Sequence, residues 1–404
     1  MNTVNLSEFN GLRFDSELKS FNDLMSLFLS SAERAKVSGR KLVAKAPLSP
    51  VEPIYAAGAL AYDSYTHETV MHTLMKGNPD LMSKAIDAGL SPDSNPWNLI
   101  MTGAVVSKKN EVAIDAYATA CCCDDQIKNS WQLMAGTTCA PLYFWEVPRF
   151  DAESEEWAIK FLVEELNQFF EWLYIQTGYE VTERSLTESI RLGNLLRQDI
   201  IEITQMLQLP DVPISALEYY FVQTMIDDYA QDPEILHDRY RALIQELKER
   251  VLQAKAAPGI SGKSLRIYFM GEETPAFRIW NTIEDCGGVL VGCDTRLSLY
   301  YETISEDGSA IENLARWAWR MPCNMPTAER AKVTIPFVKQ QKPDAIIFSS
   351  MLGSSSTPEA EKYTLETIKD ELDIPVLSIE TTQPLDNTES IEKQLKSFIG
   401  KNTG

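Results

Sequence analysis

The stretch Ala118-Thr-Ala-Cys-Cys-Cys-Asp-Asp-Gln-Ile-Lys-Asn-Ser-Trp-Gln-Leu133 begins in an alternating run and ends in a helical pattern. The residues before it, Val112 to Tyr117, alternate apolar and polar positions and predict a strand, so the thiols of Cys121 to Cys123 stand where a strand hands over to a helix. In parallel α/β sheets ligands gather at such strand ends, and a helix N-terminus favours thiolate over thiol. These thiols are placed for chemistry. Cysteine is also among the most buried residue types, and simple core packing fits the same stretch.

With 404 residues, 44% of them hydrophobic, the chain is long for a single core and implies two or three domains. Its net charge of -21 and pI near 4.7 repel phosphate backbones and anionic lipid, which argues against nucleic-acid and membrane-surface roles. No run approaches the roughly 18 apolar residues of a membrane span, and Met1 to Phe9 lacks a basic start followed by an apolar core. A soluble cytoplasmic protein is expected. Seven cysteines, three of them consecutive, do not resemble the spaced framework of a secreted disulfide domain, which points to a reducing compartment.

Between Leu6 and Ser38 apolar residues recur at helical spacing (Leu18, Phe21, Leu24, Met25, Leu27, Phe28), and the run from Gly39 to Lys45 leads into a short strand. Pro50-Val-Glu-Pro-Ile-Tyr-Ala-Ala-Gly58 reads as a short helix: proline is tolerated in its first turn, Glu52 suits the helix dipole, and Gly58 ends it. Ala59 to Tyr62 reads as a second strand. His67 and His72 fall five residues apart, off the spacing that aligns two metal ligands on one helix face, and read as structural histidines. Asp87 to Trp97 is turn chemistry, Asn98 to Val106 a helix, and Ala140 to Pro148 a β-rich run.

From Glu155 to about Lys255 the pattern is helical, interrupted at Gly178, Pro210 and Pro213. Trp157, Phe161, Leu162, Leu166, Phe169, Phe170 and Leu173 mark a core-facing stripe, whereas Glu246 to Arg250 reads as a solvated, charge-paired surface. Ala256 to Gly262 reads as a linker. Beyond it, Leu265–Met270, Val289–Gly292, Asp344–Phe348 and Pro375–Ile379 are short apolar strands separated by helical stretches, the signature of a doubly wound parallel sheet. Gly271 closes the first of these without a G-x-G-x-x-G, which leaves a dinucleotide site weakly supported, and Gly353 to Pro358 is a strand-end loop open to ligand and turn readings alike. Cys139, Cys286, Cys293 and Cys323 read as buried residues.

The order of these signals resembles the subunits of 2-hydroxyacyl-CoA dehydratases and class I benzoyl-CoA reductases. The carriers are Pro50 to Gly58, Cys123-Asp124 after a strand, Ile175-Gln-Thr-Gly178 closing a long helix, Ile283-Glu-Asp-Cys-Gly-Gly-Val-Leu-Val291, Arg330 ahead of a helix, and Pro343–Phe348 followed by Ile374–Glu380. The resemblance implies an acyl-CoA substrate and a heterodimer of two related subunits, each with a [4Fe-4S] cluster held by three cysteines. It also implies an ATP-hydrolysing iron-sulfur activator that injects one electron.

The same resemblance places Cys123 at the second ligand position, with Asn95 at the first and Ser354 at the third. Amide and hydroxyl groups are poor ligands for cluster iron, so the cluster is expected in the partner subunit rather than in this chain. Glu52 is the expected catalytic residue, lining a cleft on which Asn95, Cys123 and Ser354 converge. The expected fold is α/β, with two parallel-sheet domains of Rossmann or flavodoxin type, residues 1–150 and 263–404, joined by a helical segment, 151–257.

Overall fold

The computed structural model describes residues 9, 11–75, 80–121, 125–272, 276–351, 358–381 and 388–403. Strands β1 (Leu42–Lys45), β2 (Leu60–Tyr62), β3 (Ala116–Cys121) and β4 (Leu142–Glu146) form one sheet in the order β2-β1-β3-β4. A second sheet contains β5 (Leu265–Gly271), β6 (Gly288–Cys293), β7 (Ala345–Met351) and β8 (Val376–Thr381) in the order β6-β5-β7-β8. Every pairing is parallel. The two halves therefore repeat one topology, in which the order reverses between β1 and β3 and again between β5 and β7.

Parallel sheets are covered on both faces, which is why these strands read as near-continuous apolar runs. On one face of the first sheet Ala44 and Tyr117 meet Met101 and Trp131 from the Pro96–Val106 and Asp125–Thr138 helices. One face of the second sheet sets Tyr268, Ile346 and Phe348 against Ile335 and Val338 of the Thr327–Gln341 helix. Val43, Ala118, Ile267, Phe269 and Ile347 belong to one buried core that reaches from Phe9 to Ile399. Between the sheets in sequence lie long helices, Glu155–Thr177 and Glu183–Met206, then Ala216–Thr224 and Pro233–Leu252. Gly178 ends the first of them with φ 78°. No helix among the described residues is long and apolar enough to cross a membrane.

Several local expectations are corrected. The strand expected from Val112 begins only at Ala116; Val112 instead packs beside Leu42, Leu60 and Tyr62, and Asp115 takes the Leu42 amide on its carboxylate. Trp157 is 60% exposed and stacks on Phe161, outside the core stripe that Leu162, Leu166, Phe169 and Leu173 do form. Glu246 to Arg250 is no simple solvated face. Arg250 is buried and donates to Asp15 at 2.5 Å, while Glu246 accepts the amides of Lys19 and Ser20 and so caps the Lys19–Leu29 helix. The linker stretch is tied down, with Ala257 and Ile260 buried and the Ala257 amide donating to Val212. Of the four cysteines expected inside, Cys293 is buried, Cys286 and Cys323 are half-buried, and Cys139 is exposed at the end of its helix, where φ is 55°.

Candidate functional site

The C-terminal ends of strands from both sheets face each other. The Asp63 amide, just past β2, donates to Asp228 at 3.0 Å, and Asp227 accepts from Arg296, just past β6, at 2.7 Å. Arg296 also reaches the Thr66 hydroxyl at 3.4 Å. Across the same junction Trp97 meets Phe277 edge to face at 5.9 Å. In open α/β sheets ligands bind at the strand ends where the order reverses. The segments that follow β3, β5 and β7 there, 122–124, 273–275 and 352–357, lie outside the described residues, and Cys123 and Ser354 lie with them.

Asn95 is placed. It is buried at the N-cap of the Pro96–Val106 helix, where its side-chain oxygen accepts from the Asn98 amide at 2.9 Å and the Tyr65 hydroxyl at 3.2 Å. Its own amide donates to Gln126 at 3.0 Å, so it stands beside the start of the helix that follows Cys121 to Cys123. A neutral amide oxygen that already caps a helix does not fit a ligand position of a cubane cluster. Burial pushes the Cys293 thiol up to about 12, and its Sγ lies 3.2 Å from the Thr295 hydroxyl.

Glu52 opens the short Glu52–Ala56 helix and is wholly buried. Its Oε1 accepts from the Arg197 guanidinium and from the Tyr229 hydroxyl at 2.8 Å, while Oε2 has no hydrogen-bond partner among the described residues. Arg197 also donates to the Leu299 carbonyl at 3.0 Å and lies 4.5 Å over the Trp317 ring. Gly193 makes room for this cluster. A Cβ there would stand 2.5 Å from the Tyr229 hydroxyl and 2.9 Å from Glu52 Oε1.

Tyr229, Ala230 and Gln231 all have positive φ, 56°, 46° and 57°. Three successive left-handed residues without glycine cost about 1–2 kcal/mol each and persist only where their surroundings hold them. Here Tyr229 is held by Glu52, the Ala230 carbonyl accepts from Arg34, and Gln231 donates to Asp228 at 2.7 Å. His67 pairs with Asp228 at 2.8 Å and is raised above its ordinary pKa by that carboxylate against the opposing effect of burial. Burial pushes Asp63 up to about 7, with nearby Asp227 adding to the effect. Arg197, Tyr229 and the Asp227-Asp228 pair were not legible as site residues, because their partners lie far away in sequence; the adjacent aspartates before an aromatic residue are the one local signal.

Residues 48–400 match the family of the 2-hydroxyglutaryl-CoA dehydratase D-component. With most of the chain aligned, the protein belongs to that family and is a component of a dehydratase-type enzyme. No curated protein matches the chain.

Proposed function

We propose that this chain is one subunit of a heteromeric 2-hydroxyacyl-CoA dehydratase-like enzyme that works in the cytoplasm. Its partner is a homologous sister subunit that carries the complete [4Fe-4S] cluster. An ATP-hydrolysing iron-sulfur activator supplies the low-potential electron for radical dehydration of an acyl-CoA thioester. The observation that carries the division of labour is Asn95, a helix cap where the family places a thiolate. In this reading the chain contributes binding surface and shape, and the redox chemistry resides in the partner.

Glu52 then acts as a positioning residue: it fixes the helix after β1 against Arg197 and Tyr229, and through them the junction of the strand ends. The same Asn95 cap also supports a second reading, a scaffold or acyl-CoA-binding homologue without catalysis of its own. A benzoyl-CoA reductase-type subunit would share every feature above and differ in the partner's substrate.

Iron and sulfide analysis separates these readings. The chain prepared anaerobically alone is expected to hold no stoichiometric cluster, and its complex with a sister subunit to hold one. Brown absorbance in the isolated chain that disappears in Cys123→Ala would overturn the proposal. Absence of a cluster from both preparations would leave the scaffold reading. Glu52→Gln in the active complex is expected to lower kcat with little change in substrate KM.

A further inference from the structure

On the helix that carries Thr66 and His67 to that junction, a second group of ligand-type side chains comes together. Glu68 sits in the Ser64–Val70 helix, His72 in the π-helical turn Met71–Met75 that continues it, and Glu111 in the loop leading into β3. One ligand atom from each lies within 4.8 Å of the others. His72 Nε2 stands 3.3 Å from Glu68 Oε2 and 3.9 Å from Glu111 Oε1. His67 falls five positions before His72, off the helical spacing, but the residue four positions before His72 is Glu68.

We propose that Glu68, His72 and Glu111 bind one first-row divalent cation of the Zn2+ type. A tetrahedral ion with bonds of about 2.1 Å separates its ligands by about 3.4 Å, so the observed spacings need only small adjustments. One imidazole nitrogen with two carboxylates suits such an ion, whereas Ca2+ and Mg2+ prefer an all-oxygen shell. The carboxylate of Glu68 is already oriented from behind: its Oε1 accepts from the Tyr62 hydroxyl and from the Glu111 amide, both at 3.1 Å. Outer contacts of this kind fix the orientation of metal ligands. π-turns are frequent at functional positions, and this one holds His72 in place on the buried side of its helix. Glu68 and His72 are buried, while the Glu111 side chain is 16% exposed and gives the ion a way in. Three protein ligands leave a coordination position for water. The ion would clip the entry of β3 to the helix after β2, and so fix the strand that ends at Cys121.

Chelator-treated protein titrated with Zn2+ is expected to bind one equivalent at this site, with a raised melting temperature. Glu111→Gln, at the partly exposed position, is expected to keep the fold and weaken binding at least about tenfold, and His72→Ala to abolish it. The Co2+ form should lack thiolate charge-transfer absorbance. No binding up to about 1 mM would overturn the proposal. Binding that is unchanged in both variants, or a thiolate band, would assign the ion to the cysteines and overturn it equally.

Discussion

Two helix junctions each bury a carboxylate, and they solve the problem in opposite ways. Glu52 is ionically paired with buried Arg197. Glu284, in the Arg278–Asp285 helix, accepts the Ala216 amide at 2.6 Å and, among the described residues, is paired with the half-exposed Arg13 at 3.5 Å. Burial pushes Glu284 up to about 8, with nearby Glu218 adding to the effect, and Glu218 itself rises to about 7. One junction is a fixed ion pair and the other a proton reservoir. A buried acid is stable with a cation or with a proton, and the choice decides how each junction responds to pH.

The comparison breaks most visibly at Arg197. Arg197→Ala leaves the Glu52 carboxylate buried without its cation and should cost about 3–5 kcal/mol in chemical denaturation. A loss under about 1 kcal/mol would mean that the pair stabilises little beyond a packed apolar contact. Gly193→Ala tests the same junction more gently. Its methyl must displace the Tyr229 hydroxyl or the Arg197 guanidinium, both pinned, and the expected cost is about 1–3 kcal/mol.

The effect that is smallest at acid pH, and the one that sharpens the contrast, is at Glu284. Its ordinary pKa is 4.5 and its folded value about 8, so between these pH values the folded state keeps a proton that the unfolded state has released. The stability it contributes is full below 4.5 and is lost as pH rises through 8. Glu284→Gln should lie within about 1 kcal/mol of the parent near pH 4.5 and become progressively the more stable form as pH rises towards 8. Parallel stability curves for the two proteins across that range would refute the assignment.

The second sheet was legible because a parallel strand buried on two faces must be apolar throughout, and short apolar runs bounded by turns show that directly, whereas β3 was read from alternation and begins later than expected. What the sequence concealed was long-range pairing of charges. Glu246 to Arg250 carries the local pattern of a solvated surface, yet Arg250 finds Asp15, 235 positions away, and only the folded chain brings them together. His72 is similar: Glu68 was within reach of a spacing argument, but Glu111 arrives from another loop. At the strand-end junction the sequence marked Asn95 only through the family resemblance, as an expected departure from a thiolate position. That it spends its oxygen on a helix cap follows from Pro96 starting the helix beside it.

The left-handed turn at Tyr229 to Gln231 has a stereochemical consequence. A backbone with φ near 46° at Ala230 is the mirror of the ordinary right-handed conformation, so the site is shaped for an amino acid of the opposite hand. A chain assembled chemically with D-alanine at 230 would enter this turn without strain and still offer its carbonyl to Arg34. Among the described residues, this is a place where the genetic code supplies the less suitable enantiomer and the neighbouring side chains hold it in position.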